Sequence, residues 1–471
     1  MITENGVNFK SLEQNIFKKC CEIGREVMKA TIEEYDKELT QKRDRNKYRH
    51  KGLRKTTIKT ILGEIEYNRA IYEYRGENDE KSYIYLLDEA MGITGNGFMS
   101  SLLSEKIVQA SCEGTYRNAA KTVSELTGQT ISHTAAWNVV QNVGEQLDKA
   151  EQEAARLAET NKSSGTLETK LLFEEQDGIY LHLQGHDRKK HGKSYEMKLA
   201  IAYDGAKKAG KNRYELTNKV ACANFENVHK FYRRKEGTIA AVYDTDEIEM
   251  RVLNGDGANW IKRSIDGDTV YQLDTFHRNR AIVNAAPDED SKRLMFKLLY
   301  SGQTDDLLTY IDALANSVDD LPKETVLHEL HTYFTNNLSG LTGYDRRGLD
   351  LPEPPKGKEY RRCGAMESNI FTIIGNRMKG RRKCWSIDGG NNMARLLCLK
   401  HTKRLSEAMR NLSGLCLPQK YSENIITVLS AANVAKSDGK GYDGFHQSIF
   451  PATPDFKWLR SFGALQELFE I

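Results

Sequence analysis

Leu253-Asn254-Gly255-Asp256-Gly257-Ala258-Asn259-Trp260 joins the end of a β-forming run to the start of a helical one, with an aspartate between two glycines at the join. Glycine on either side lets the backbone turn sharply there, leaving the Asp256 carboxylate at the end of a strand. Three strand-like segments precede it: Leu171 to Gln184, Tyr195 to Tyr203 and Val220 to Phe225, which read as antiparallel. A helical stretch from His229 to Tyr243 and a strand from Glu249 to Leu253 lead into the aspartate. A short helix from Ala258 to Ile265 and a strand from Thr269 to Leu273 lead away from it. Three strands, a helix, a strand, a helix and a strand is the element order of a ribonuclease-H-like core, in which helices cover a mixed sheet.

The closing helix of such a core is deferred. Helical periodicity continues through Lys292 to Val318 and Lys323 to Leu338 before Leu351-Pro352-Glu353-Pro354-Pro355-Lys356 breaks it. Past that break, Glu367 opens a helix whose apolar residues Ile370, Phe371, Ile374 and Met378 recur at three- and four-residue spacing. On a regular helix Glu367 shares their buried side and faces the sheet. The sequence therefore predicts an α/β fold: a ribonuclease-H-like catalytic core with a helical insertion, preceded by N-terminal helical and small β DNA-binding segments. The divisions are an amphipathic helix over 1–40, a basic β-containing segment over 41–95 and a helix-turn-helix-like domain over 96–165. The core's first part covers 166–284, the helical insertion 285–355, the catalytic helix 356–400 and a C-terminal extension 401–471.

Alternation along the first core strand puts Asp177 on the same face as Phe173, Ile179, Leu181 and Leu183. A carboxylate on an apolar face is costly to bury unless a cation or donor meets it. In a ribonuclease-H-like sheet the middle of the first strand neighbours the end of the fourth, so Asp177 and Asp256 are placed to share a divalent ion, with Glu367 facing them. Three oxygen donors suit Mg2+ or Mn2+, which prefer carboxylate and water ligands. Two such ions serve in-line displacement at phosphorus. Taken singly each acid also reads as a surface charge or helix cap, and Glu367 near a helix start is favoured by the dipole alone. Their joint placement is what points to catalysis.

The net charge is only +3, but it is unevenly spread. Between Lys42 and Lys59 the only acid is Asp44, among cations that include Arg49, Lys51, Arg54 and Lys55. A second cluster comprises Arg377, Lys379, Arg381, Arg382 and Lys383. Local patches on a nearly neutral chain suit a polyanionic partner such as double-stranded DNA. Tyr116 to Leu126, a turn at Thr127-Gly128-Gln129-Thr130, and Ile131 to Val140 fit two helices across a short turn, with Thr130, Ser132 and His133 where base edges are met. The helix from Phe9 to Gln41 carries a stripe that either packs on the body or pairs two subunits. The eight cysteines include no CxxC pair, so neither a zinc ribbon nor a disulfide framework is signalled. The absence of a signal-like N-terminus and of a membrane-length apolar run implies a cytoplasmic protein.

The chain resembles the bacterial insertion-sequence transposases of the Mutator-like DDE group, in the branch related to the Lre elements, once catalogued as an uncharacterised protein family. The segments that carry the resemblance are Glu174 to Gly178, Gly255 to Lys262, Leu273 to His277, Glu367-Ser368-Asn369, Asn376 to Lys379 and Trp385-Ser386. Thr60 to Glu64 and Leu86 to Glu89 extend it toward the N-terminus. The resemblance implies a metal-dependent transposase with Asp177, Asp256 and Glu367 as its acidic triad, two Mg2+ or Mn2+ ions, and terminal inverted repeats and target DNA as partners. It also implies action as a homo-oligomer in a bacterial nucleoid. Asp274 and His277 match the Asp-x-x-His pair of that group. The pair is read either as positioning or contacting DNA, or as a structural hydrogen bond, and Asp274 competes with Asp256 for the second ligand position because it too ends a strand. His328 and His331 have the wrong separation for a zinc-protease helix. The glycine loop from Asp438 to Gly444 lacks the ending of a phosphate-cradling loop. Trp385 reads as a base-stacking or a core residue.

Overall fold

The computed structural model describes residues 8–75, 81–92, 99–162, 165–263, 265, 267 and 269–412. The chain divides into two units, Met1–Asn142 with Met409–Ile471, and Val143–Ala408. The first unit opens on α1 (Phe9–Lys42), capped by the Asn8 side chain, which accepts from the Ser11 N–H. Toward its C-terminal end, Ile32 and Tyr35 pack with Ile58, Ile65, Tyr67 and Leu87. Those partners come from a meander of β1 (Tyr48–Thr60), β2 (Gly63–Arg75) and β3 (Lys81–Ile84), and from α2 (Leu86–Ala90). The basic stretch itself pairs, from Tyr48 opposite Tyr74 onward, because the ladder uses backbone groups while the long cationic side chains of an edge strand stay in water.

Helices α3 (Ser101–Glu113), α4 (Tyr116–Thr127) and α5 (His133–Glu159) follow. Gly128 ends α4 at φ +64°, a left-handed conformation that costs glycine least. Ser132 then caps α5 by accepting from the Ala135 N–H at 3.0 Å, and the Ile131 N–H donates to Ser124 Oγ at 3.0 Å. Two helices across a short turn are therefore present where the sequence places them.

The second unit is built on β4 (Leu171–His182), α6 (Gly185–His191), β5 (Ser194–Tyr203), the small hairpin β6 (Ala206–Lys208) and β7 (Tyr214–Leu216), β8 (Val220–Asn224), α7 (Val228–Ala240), β9 (Met250–Gly255), α8 (Asn259–Lys262) and β10 (Thr269–Leu273). Among the described residues the main sheet has five strands in the order β10-β9-β4-β5-β8. β4 pairs antiparallel with β5, and β5 with β8, whereas β9 runs parallel to β4 and β10 parallel to β9. The class is mixed α/β. On β4 the odd-numbered face buries Phe173, Glu175, Ile179 and Leu181, with Asp177 half-buried among them, as alternation requires. On the other face buried Glu174 meets Lys235 at 2.5 Å and Arg251 at 2.9 Å, so that carboxylate is paired.

Helices α9 (Thr275–Ala285), α10 (Glu289–Tyr300), α11 (Thr304–Ala315) and α12 (Leu321–Asn336) form the expected helical stretch. Ile282, Met295, Leu299, Ile311, Leu330 and Phe334 give it a core that reaches Leu273 at the sheet. The chain returns through α13 (Met366–Asn369), a π-helical stretch at Ile370–Gly375, α14 (Asn376–Met378), the largely buried α15 (Ile387–His401) and α16 (Leu405–Leu412). The π turn changes the faces read from a regular helix. Ile370, Ile374 and Met378 are buried as expected, but Phe371 is 62% exposed and Glu367 is also exposed. No described helix is long and apolar enough to cross a membrane. The Asp438 to Gly444 loop and the extension beyond 412 lie outside the described residues.

Candidate metal centre

The β4–β9 register ends with Gln176 opposite Gly255, so Asp177 is the first residue of β4 beyond the end of its parallel neighbour. His277, on the first turn of α9, and Glu367, on α13, approach its carboxylate there. Ligand-capable atoms of Asp177, His277 and Glu367 lie within 4.8 Å of one another, the one such group among the described residues. The two carboxylates suit a divalent ion of the Mg2+ or Mn2+ type, and the imidazole, a donor more usual on first-row transition ions, favours Mn2+ of the two.

Asp256 follows Gly255 directly, beside Asp177 in the continued register, but its oxygens are not in the converging group. Its Oδ1 instead accepts from the Ala258 N–H at 2.9 Å. The turn depends on Gly257, at φ +92°, where an added Cβ would stand 2.8 Å from Asn337 Oδ1. The Asp256 carbonyl accepts from Tyr333 OH at 2.7 Å, which ties the turn to α12.

The electrostatics of the group are those of crowded acids. Burial pushes the Asp177 carboxyl up to about 6; the Gly178 N–H and His277 oppose the shift, and the charges of Asp256 and Glu367 add to it. His277 is held above its ordinary value by its hydrogen bond to Asp274 and by the charges of Asp177, Asp274 and Asp256, against burial. Burial also works on Asp274, but hydrogen bonds from His277, Asn254 and the backbone outweigh it and hold its carboxyl low. Asp274 caps α9: its Oδ1 accepts from the N–H groups of Phe276 and His277 at 3.0 and 3.1 Å and lies 3.2 Å from His277 Nδ1. Between the two readings of the Asp274–His277 pair, this geometry makes Asp274 the residue that orients the imidazole.

Glu175, missed as a site residue by sequence reasoning, holds the arrangement together. It is fully buried two residues before Asp177, on the same face of β4. Its Oε2 accepts from the Gly364 and Met366 N–H groups at 3.0 and 3.1 Å, and its Oε1 from the Ala365 N–H at 3.1 Å. Tyr203 OH and Asn254 Nδ2 donate to it at 2.7 and 3.1 Å. One carboxylate thus fastens the backbone just ahead of Glu367 to the strand carrying Asp177. Asn254 also donates to Asp274 Oδ2 at 2.9 Å, joining both halves of the site underneath. The signal was the i, i+2 spacing of Glu175 and Asp177.

The positions assigned to DNA contact fare unequally. Arg49, Lys51, Arg54 and Lys55 are exposed on β1, though Lys51 pairs with Glu73 at 2.7 Å and Lys55 with Glu66 at 2.6 Å. Thr130, Ser132 and His133 are exposed around the start of α5. Lys379 and Arg381 are exposed, but Arg377 is not: it is 6% exposed, with its guanidinium 5.2 Å from the centre of the Trp385 ring. Arg377 is therefore corrected to a core residue, turned inward by the helix that carries it. Trp385 is buried too and donates from Nε1 to the Met378 carbonyl at 2.9 Å. The seven cysteines of the described residues are all free.

Fold and site together define a mixed α/β protein with a carboxylate-rich candidate divalent-metal centre. The chain belongs to the uncharacterised protein family UPF0236, whose profile matches residues 2–410. It is similar to UPF0236 protein TTE2489 of Caldanaerobacter subterraneus subsp. tengcongensis, 24% identical over 402 residues, which cover 84% of this chain and 79% of the relative. A second protein of that organism, named with eleven locus designations from TTE0033 to TTE2212, is 24% identical over 400 residues, 84% of this chain and 78% of its own. A UPF0236 protein in the vanSb 3′ region of Streptococcus gallolyticus is 22% identical over 418 residues, 87% of each chain.

Proposed function

We propose that the protein is a DDE transposase of the Mutator-like group, cutting and joining DNA at the terminal inverted repeats of an insertion sequence. The observation that carries this reading is the convergence of Asp177, His277 and Glu367 from a strand, a strand-following helix and a late helix onto one point. The sheet supports it. Numbered among themselves, the five strands stand in the order 5-4-1-2-3, with the first three antiparallel and the fourth and fifth parallel to the first. That order is the one a ribonuclease-H-like reading calls for and supports it, as do the helices between the fifth strand and the glutamate.

Mg2+ or Mn2+ bound there supplies charge that activates an attacking oxygen and stabilises the leaving one. Asp177 and Glu367 provide ligand oxygens, and His277 a third ligand once it has lost its proton. Asp256 lines the same space as the remaining member of the acidic triad and is the candidate ligand for a second ion. Asp274 orients His277, and Glu175 fixes the backbone from which Glu367 projects. The exposed cations of β1 hold phosphates, and the start of α5 reads bases. Two DNA ends must be joined, so the working form is a homo-oligomer, in the bacterial cytoplasm where the DNA lies. A relative named with eleven loci of one organism fits a gene that copies itself between sites.

The test is strand nicking on DNA carrying the element's ends, with Mg2+ or Mn2+, comparing the native chain with Asp177→Asn and Asp256→Asn. Nicking by the native chain alone is expected. Equal cleavage by the Asp177 variant refutes the assignment of the centre, and binding without cleavage under varied conditions makes the protein a non-catalytic DNA-binding relative.

A further inference from the structure

We propose that α6 and the loop after α14 form one basic surface that holds the phosphates of duplex DNA beside the candidate metal centre. The inference rests on the reading above that DNA is the substrate. Arg188, Lys189, Lys190 and Lys193 are all exposed. The acid on the same short helix, Asp187, is engaged, its Oδ2 accepting from the Ile387 N–H at 2.8 Å. On the facing loop Lys379, Arg381 and Arg382 are exposed as well.

The two segments are fastened together rather than merely near. Trp385 N–H donates to the His182 carbonyl and Gln184 N–H to the Trp385 carbonyl, each at 2.9 Å. Lys383 is used structurally, its Nζ donating to the carbonyls of Asn376 at 3.1 Å and Arg377 at 2.7 Å, where it caps the end of the helix. Between these anchors Gly380, Arg381 and Arg382 take φ of +76°, +46° and +57°. Two consecutive arginines in the left-handed region are an unfavourable choice that persists only where surroundings impose it, and such choices cluster at functional sites.

Position gives the partner. From Asp177 to the end of β4 at His182 is five residues, about 17 Å at a strand's rise. From Glu367 to Met378 is eleven residues, again about 17 Å at a helix's rise. Both elements lead from the metal centre to the basic surface, so a strand reacting at the centre has phosphates over that surface about five nucleotides away. Duplex suits it better than single strand, because Trp385, the indole within the surface, is buried and offers no face for base stacking.

The test uses the full chain with Arg188, Lys189 and Lys190 all changed to Gln. Their side chains make no hydrogen bond or ion pair among the described residues, so the fold is expected to survive. Affinity for a duplex carrying the element's end is followed by fluorescence anisotropy between about 50 and 200 mM salt. Each lost phosphate contact flattens the log–log salt slope by about 0.9, so a reduction of about 2 to 3 is expected, with Mn2+ affinity unchanged. An unchanged slope in a chain that still nicks DNA overturns this surface and leaves the function standing. An equal reduction from Arg293→Gln, Lys297→Gln and Lys323→Gln on the helical insertion, which alters net charge by the same amount, overturns it too. Failure of the native chain to bind any duplex refutes the underlying reading along with it.

Discussion

Cation binding at the centre should fall steeply with acid, and the size of the fall follows from Asp177. Its carboxyl titrates at about 6 without metal, and the metal-free state is the one in which proton and cation compete. Competition with one such proton weakens apparent affinity about 1.1-fold at pH 7 and about 11-fold at pH 5, a tenfold change or about 1.4 kcal/mol. His277, raised chiefly by its bond to Asp274, must also lose a proton to serve as a ligand, so the slope should exceed that of a single proton. Stability moves the opposite way in the unbound chain. A folded value of about 6 against the ordinary 3.8 gives a contribution that is whole below 3.8 and lost as pH rises through 6. The cost at neutral pH is at most about 3 kcal/mol, less what solvent screening of this half-buried group removes. Titration with Mn2+, read by the electron paramagnetic resonance of the free ion from pH 5 to 8, tests both points when paired with thermal melts. Mn2+ should raise Tm near neutrality and do little at pH 5. Flat affinity from pH 5 to 7, or native affinity in Asp177→Asn, would refute the reasoning.

Glu175→Gln leaves one acceptor oxygen where five donors converge on two, so at least one N–H loses its partner at about 1–3 kcal/mol. The expected result is a lowered Tm together with a loss of Mn2+ affinity larger than that of a core variant destabilised equally, because Glu367 is displaced. Gly257→Ala forces a side chain into φ +92° and toward Asn337, at about 1–3 kcal/mol by thermal melt, and nicking should fall with the shifted Asp256. Arg377→Ala removes a buried guanidinium over Trp385; it should destabilise by about 1–2 kcal/mol while the salt slope of DNA binding stays native. Lys379→Ala should do the reverse.

The strands of the main sheet were legible because their residues are periodic and bounded by turns: Leu171 to Gln184 became Leu171–His182, and Thr269 to Leu273 was unchanged. The helical insertion and the turn before α5 were legible for the same reason. What failed was anything set by non-local geometry. The face of Phe371 was misread because a π turn leaves no trace in apolar spacing, and Arg377 because a guanidinium can be buried over an indole that arrives from a later segment. Element order set Asp177 beside Asp256 and facing Glu367, whereas His277 came in only through the resemblance. That His277, and not Asp256, supplies the third converging atom depends on how the Asp256–Ala258 turn directs one carboxylate, which spacing cannot reveal. Glu175 went unread because its five donors come from three separate segments.

A second crowded charge cluster sets off what is distinct about the Asp177 group. In the cleft between α5, α7 and α15, buried Arg234 meets Asp148 at 2.8 Å, Glu151 at 3.3 Å and Glu226 at 2.7 Å, and Arg395 meets Glu151 at 2.8 Å. Each carboxylate there has a guanidinium, and the cluster is self-sufficient. At the candidate metal centre, Asp256 and Glu367 both disfavour the charge on Asp177, while His277 favours it. The scaffold beneath, through Glu175, fastens the backbone just ahead of Glu367. An arrangement that keeps like charges together at a cost to the unbound fold is stable in use only when something positive is bound between them. A divalent ion would supply that charge without a side chain in the path of a phosphate; burial is the largest cause that makes Asp177 hard to ionise, and the neighbouring acids add to it.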